Sequence, residues 1–173
     1  MGVGTWNLGR EMNELRKLAL AALVLACIAG CDGSSNGSST NATCSQQMYA
    51  KYGQAGFEAV THKIIENIAA VSAEEPSPIG DSFKGLSAEE VGLIEANLLD
   101  FLVKVYGGPD KYAGRDMKTA HHGLGITQSQ YDAFVNLTIV PALQAAGVSA
   151  GDISDCFAPP VTSPEFSAMI VGQ

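Results

Sequence analysis

Between residues 57 and 68 the apolar side chains fall at Phe57, Val60, Ile64, Ile65 and Ile68, a spacing that lines one face of a helix. The pattern returns at Val91, Ile94, Leu98, Phe101, Leu102 and Val105, a stripe on a second helix. No alternating run of useful length and no internal repeat interrupts it, so the expectation is an all-α domain with one core. Local punctuation sets the boundaries. A short helix is expected over 46–52, then Gly53, then a helix from about Gly56 to Val71. Pro76, Pro78 and Gly80 make Glu74–Gly85 a loop. Ser87 with Glu90 forms a capping box opening the second long helix, and Gly107-Gly108-Pro109 stops it. Asp116–His122 reads as a short helix ended by Gly123 and Gly125. Thr127 caps a helix from Gln128 to about Ala146, which Pro141 should kink or break. A last helix begins near Ser149 and stops before Pro159-Pro160, leaving a loosely ordered tail.

A different kind of segment precedes this helical part. Arg16 and Lys17 stand before thirteen apolar residues, Leu18 to Gly30, which end at Cys31. At roughly 1.5 Å per residue the run spans about 20 Å, too short for a relaxed transmembrane helix. Positive charge, a short apolar run and small residues describe a secretory signal. Ile28-Ala29-Gly30-Cys31 resembles the lipobox of bacterial lipoproteins, which implies cleavage before Cys31 and a lipid on its thiol. Asp32–Thr43, DGSSNGSSTNAT, suits a flexible tether with a reach of roughly 20 Å. The expected organisation is a lipoprotein signal peptide over 1–30, a tether over 31–43, a globular domain over 44–160 and a tail over 161–173. The expected location is outside the cytoplasm, lipid-anchored on the periplasmic side of a bacterial membrane.

From residue 31 onward seven Lys or Arg stand against sixteen Asp or Glu. That balance argues against a nucleic-acid partner, since phosphate contacts need clustered cations. Export also changes how the cysteines read. Cys27 leaves with the signal and Cys31 carries lipid, so Cys44 and Cys156 remain, at opposite ends of the domain. They are either bridged or two buried thiols, and their spacing does not suit a zinc site.

The most informative stretch is Gly107–Thr127, GGPDKYAGRDMKTAHHGLGIT. Met117 and His121 are four residues apart and share a helix face. A neutral imidazole on a short helix, beside a soft apolar side chain, suits an iron that needs one strong nitrogen ligand in a dry slot. The plain alternative is a hydrogen-bonded core histidine. The stretch closely resembles group I truncated haemoglobins, in which a Gly-Gly-Pro turn, Tyr-x-Gly, Met-Lys-x-x-His and Gly-x-Gly-Ile-Thr frame the proximal histidine. Met48-Tyr49-Ala50-Lys51-Tyr52-Gly53 is similar to that family's first turn. The resemblance implies a truncated globin, a two-on-two helical sandwich around haem b, with His121 as proximal iron ligand. No Cys-x-x-Cys-His motif occurs, so the haem would be held non-covalently. The second ring N–H of His121 should meet a backbone carbonyl or water. His122 points about 100° away around the helix and belongs to the surface or a haem edge. Lys118 and Arg115 either pair with the propionates or are simply solvated. Met117, Ile126, Tyr131 and Phe134 are expected on the proximal side.

The distal side departs from the family. Ile65 falls where many members carry a tyrosine, and Ile94 and Leu98 fall at the other distal positions, leaving no polar group to hydrogen-bond oxygen. The long Glu74–Gly85 loop makes Phe83 the candidate capping ring, and His62 is an alternative sixth ligand. The function implied is reversible binding of a diatomic gas, whether oxygen, nitric oxide or carbon monoxide. It would serve oxygen carriage, gas sensing or nitric oxide removal, with an electron-donor reductase as a candidate partner. Alternatives are a haem-dependent dioxygenase or peroxidase served by such a reductase, or a haemless scaffold lipoprotein. An apolar distal wall argues against a peroxidase, which needs a polar acid/base group.

Overall fold

The computed structural model describes residues 44–173; the expectations for the signal segment, Cys31 and the tether lie outside the described residues. Helix α1 is Met48–Ser72 and bends at Gly53, so the short opening helix and the longer one are joined end to end. Its buried face includes Phe57, Val60, Ile64 and Ile68. Helix α2 is Ala88–Val105. Its capping box is complete: the Glu90 N–H donates to the Ser87 hydroxyl, and the Glu90 carboxylate accepts from the Ser87 N–H at 2.8 Å. Acidic residues in the first turn and Lys104 in the last suit the helix dipole. The helix ends where the chain start passes beneath it. Tyr49 N–H donates to the Tyr106 carbonyl at 2.9 Å. A Cβ on Gly107 (φ +88°) would lie 1.9 Å from the Gln46 carbonyl oxygen, so only glycine fits there.

Helix α3 is Met117–His121, capped by Asp116. Then come α4, Gln128–Phe134, α5, Val140–Ala145, α6, Ala150–Asp152, α7, Ala158–Thr162, and α8, Pro164–Ser167. Thr127 and Gln130 form a second capping box at the start of α4. A π-helical turn, Val135–Ile139, joins α4 to α5, and another, Ile153–Phe157, joins α6 to α7. The chain therefore makes two continuous rods, 128–145 and 150–162. Helix α1 packs against both α2 and the first rod, and Cys156, Phe157 and Val161 of the second rod are buried. No strand occurs among the described residues.

The prolines act differently from expectation. Pro141 does not break its helix, and the last helix does not stop before Pro159-Pro160 but continues to Thr162. A helical proline removes one donor and crowds the carbonyl four residues back; a π turn just upstream opens the ladder at that point. Side chains take carbonyls left over. Ser45 Oγ donates to the Cys156 carbonyl at 2.6 Å, the one that Pro160 cannot serve. Tyr106 donates to the Phe157 carbonyl at 2.6 Å, and burial pushes the Tyr106 pKa up. Asn67 donates to the Thr138 carbonyl at 3.0 Å.

Covalent and ionic links tie the chain start to the second rod. Cys44 and Cys156 are joined by a disulfide, with their Cα atoms 5.2 Å apart. Asp152 accepts from Lys51 at 2.6 Å, Tyr52 at 2.5 Å and Ser149 at 2.8 Å. Those bonds, Lys51's first, hold its carboxyl at a pKa of about 2. The segment after Pro160, expected to be loose, is instead packed: Ile170 is buried with Tyr131 and Val135. Its apolar residues have a satellite cluster to enter, which the pattern ahead of Pro160 does not announce.

Candidate functional site

Helix α3 has only five residues, and none is fully buried. Its geometry is set by its caps. The Thr119 N–H donates to Asp116 Oδ1 at 2.9 Å, and hydrogen bonds from Thr119 keep the Asp116 carboxyl below its usual pKa. One turn on, His121 Nδ1 lies 2.7 Å from the Met117 carbonyl oxygen. A carbonyl only accepts, so Nδ1 carries the proton and donates it. In the neutral ring Nε2 then keeps its lone pair, as a metal ligand must. His121 is half-buried while His122 is exposed, in accord with adjacent helical positions pointing apart.

The other candidates fall into three groups. Ile65 of α1, Leu98 of α2, Phe83 of the loop and Phe134 of α4 are half-buried and pack on the main core. Phe83 stacks on Phe134 with ring centroids 6.0 Å apart and planes 12° from parallel. Ile94, one helical turn before Leu98, is also half-buried. Ile126 and Tyr131 belong to a second cluster, with Val135 and Ile170. Tyr131, expected on the proximal wall, is buried, and its hydroxyl donates to the Val161 carbonyl. Lys118 lies with Arg115, Thr119 and His122 around a shallow surface depression.

Electrostatics sets that depression apart. Lys51, Lys63, Lys84 and Lys104 each pair with a carboxylate. Among the described residues no carboxylate pairs with Lys111, Arg115 or Lys118, and two of these, Arg115 and Lys118, line the depression with His122. His62 is not poised as a ligand. Its side chain is 65 % exposed and held between Glu95, 3.0 Å from Nδ1, and Glu66, 3.5 Å from Nε2. The next turn of its own helix supplies Glu66, which draws the ring outward. A small apolar cavity of about 30 Å³ is lined by Phe57, Val60, Ile64, Leu102 and Tyr106 among others. None of the candidate residues lines it.

The sequence reading gave Phe166 no role, and Tyr112 none beyond the Tyr-x-Gly motif. The Phe101 ring of α2 meets Tyr112 edge-on at 5.6 Å and Phe166 at 5.9 Å, which links the second long helix to the segment leading into α3 and to the tail. Phe101 stood on the expected apolar stripe; nothing local to Tyr112 or Phe166 marks them as its partners.

Residues 48–162 match the family model described as bacterial-like globin. The chain belongs to the bacterial-like globin family. It is a haem-binding globin with the truncated fold. Among its relatives, a group 1 truncated hemoglobin of Nostoc sp. (strain MUN 8820) is 30% identical over 100 residues, covering 58% of this chain and 77% of the relative. A group 1 truncated hemoglobin of Tetrahymena thermophila is 38% identical over 50 residues, which is 29% of this chain and 40% of that protein's length. In fold, this globin resembles the crystal structure of a truncated hemoglobin from Tetrahymena pyriformis, with a TM-score of 0.60 and 23% identity over 74% of this chain and all of the other.

The residues present fit a haem. A pre-set imidazole with a free nitrogen, half-covered apolar side chains on α1, α2 and α4, and unpaired cations on and just before the helix that carries the imidazole are the three things that a flat, apolar, dianionic iron macrocycle requires.

Proposed function

We propose that this globin binds haem b without covalent attachment, through His121, and that it serves to bind a diatomic gas at a bacterial membrane surface outside the cytoplasm. The observation that carries the reading is the bond from His121 Nδ1 to the Met117 carbonyl. It fixes the tautomer and the ring direction before any iron arrives, which raises ligand basicity and lowers the cost of ligation. Haem, when bound, supplies the iron on which a gas is taken up.

The rest is work for the chain. Met117, Ile126 and Phe134 keep the proximal side dry, and Phe83, stacked on Phe134, covers one edge. Arg115 and Lys118 are the cations for the propionates. Ile65, Ile94 and Leu98 exclude water from the distal side and offer a gas no hydrogen bond. Oxygen, which gains most from such a bond, is therefore the least favoured of the three ligands relative to a tyrosine-bearing globin. The same apolar wall lacks the acid/base group that peroxide cleavage needs, so gas binding is favoured over peroxidase chemistry.

The deciding experiment is an absorption spectrum of the haem-reconstituted protein and of His121→Ala, reduced and with carbon monoxide. A Soret band whose position changes when His121 is removed is expected; a folded sample that stays colourless overturns the reading. The membrane location rests on the lipobox-like Ile28–Cys31 and the polar stretch after it. Incorporation of labelled palmitate that disappears in Cys31→Ser tests it separately.

A further inference from the structure

The family match ends at residue 162, yet the eleven residues beyond it are built into the fold. Ser163 caps α8 by accepting from the Phe166 N–H at 3.1 Å. Phe166 packs on Phe101 of α2, and Ile170 is buried with Tyr131 and Val135, the cluster on which Ile126 also packs. Burial pushes the Tyr131 pKa up to about 12 while its hydroxyl bonds the Val161 carbonyl. Two backbone bonds finish the docking. The Gly172 N–H donates to the Ile126 carbonyl at 2.9 Å, and the Gly125 N–H donates to the Gln173 carbonyl at 3.1 Å.

Gly125 and Ile126 are the residues just beyond His121. The helix that carries His121 spans five residues, too few to hold itself in water. After it come Gly123 and Gly125, at φ +83° and +59°, the residue type with the most backbone freedom to lose. Asp116 fixes the start of this helix. Past its end there is one local bond, Leu124 N–H to the His121 carbonyl at 3.1 Å, before the tail's two bonds.

We propose that residues 163–173 are a positioning element for His121. By clamping Gly125 and Ile126 they fix the far end of a helix that cannot fix itself, and so set the tilt of the imidazole. Ile170 is the anchor. Phe166 carries the same restraint across to α2 through Phe101, so both long-helix and short-helix sides of the site are referred to one brace. The consequence for iron rests on His121 being its ligand; the clamp itself does not.

The test uses Ile170→Ala and Phe166→Ala in the full chain, with Met169→Ala, an exposed neighbour, as control. In the haem-free protein, hydrogen exchange of the Gly125 amide is expected to quicken by about tenfold or more in Ile170→Ala and less in Phe166→Ala. After haem loading, the iron–histidine stretching band of the ferrous protein should shift and broaden in Ile170→Ala, with circular dichroism unchanged. Met169→Ala should leave both readouts where they were. Unchanged exchange at Gly125 overturns the clamp, and freed amides with an unmoved iron–histidine band overturn its role in positioning. If the parent protein takes up no haem, the functional reading fails, while the exchange result still decides whether the tail holds the turn. Should Ile170→Ala not fold, Phe166→Ala carries both readouts.

Discussion

Adjacent residues on α1 meet different surroundings. Ile64 is fully buried, while Ile65, next in sequence, is half-covered. Helix α2 repeats the contrast along its length: Leu102 and Val103 are buried, whereas Val91, Ile94, Leu98 and Phe101 are half-covered and Leu93 is 60% exposed. The rod side of the globin is finished by the chain itself, with prolines accommodated, carbonyls satisfied and a disulfide closing it. The outward part of the α2 stripe has a thinner cover of protein, and the short helix that carries His121 likewise has no buried residue. An apolar stripe that periodicity alone would assign to the core is thus divided between a core and a half-covered face.

That division can be broken or sharpened by experiment. The largest effect is expected on the finished side: reducing the Cys44–Cys156 bridge, which spans 112 residues, should cost up to about 4.7 kcal/mol of unfolding free energy in a urea melt with and without reductant. Next, Ile64→Ala should lower haem-free stability by about 3–4 kcal/mol, whereas Ile94→Ala, on the thin side, should cost less than about 1 kcal/mol. Equal losses would erase the contrast. Third, His121→Ala should leave haem-free stability nearly unchanged yet weaken haem retention on the order of 100-fold or more, read by transfer to an acceptor apoglobin. Fourth, Ile65→Tyr should slow oxygen release by about one to two orders of magnitude in stopped flow, since it adds a donor to an apolar wall.

The smallest effect concerns the ionic link of the finished side. The Asp152 carboxyl is held at about 2, below its usual 3.8. A carboxyl with a depressed folded-state pKa stabilises the fold above the unfolded pKa, and that contribution fades as pH falls toward the folded value. Asp152→Asn should therefore cost about 1 kcal/mol at neutral pH, a modest figure because Lys51 is largely solvent-exposed. The variant and parent should converge as the pH drops from about 4 to about 2, followed by thermal melts across that range.

What could be read from the chain alone follows the range of the interactions involved. The box at Ser87 spans three residues, so sequence spacing reveals it; at Thr127 spacing reveals the cap, and at His121 the face shared with Met117 but not which carbonyl the ring meets. The prolines defeat local reasoning because relief comes from afar: Ser45 lies 111 positions from the Cys156 carbonyl that Pro160 cannot serve. Nor does helical spacing announce that the Tyr131 hydroxyl finds a carbonyl 30 residues on. That Lys111, Arg115 and Lys118 are left without carboxylates is legible only after the other lysines have found theirs in three dimensions.

The bridge at Cys44 has a mechanical corollary. A tug on the chain ahead of that cysteine passes through the sulfur pair directly into Cys156. The load path skips the first long helix, which cannot be peeled away from its exposed end like tape. Force enters instead at the wide turn 153–157, where Tyr106 and Ser45 already grip the backbone. A globin hung by its leading end would in this way keep the wall beside its imidazole out of tension.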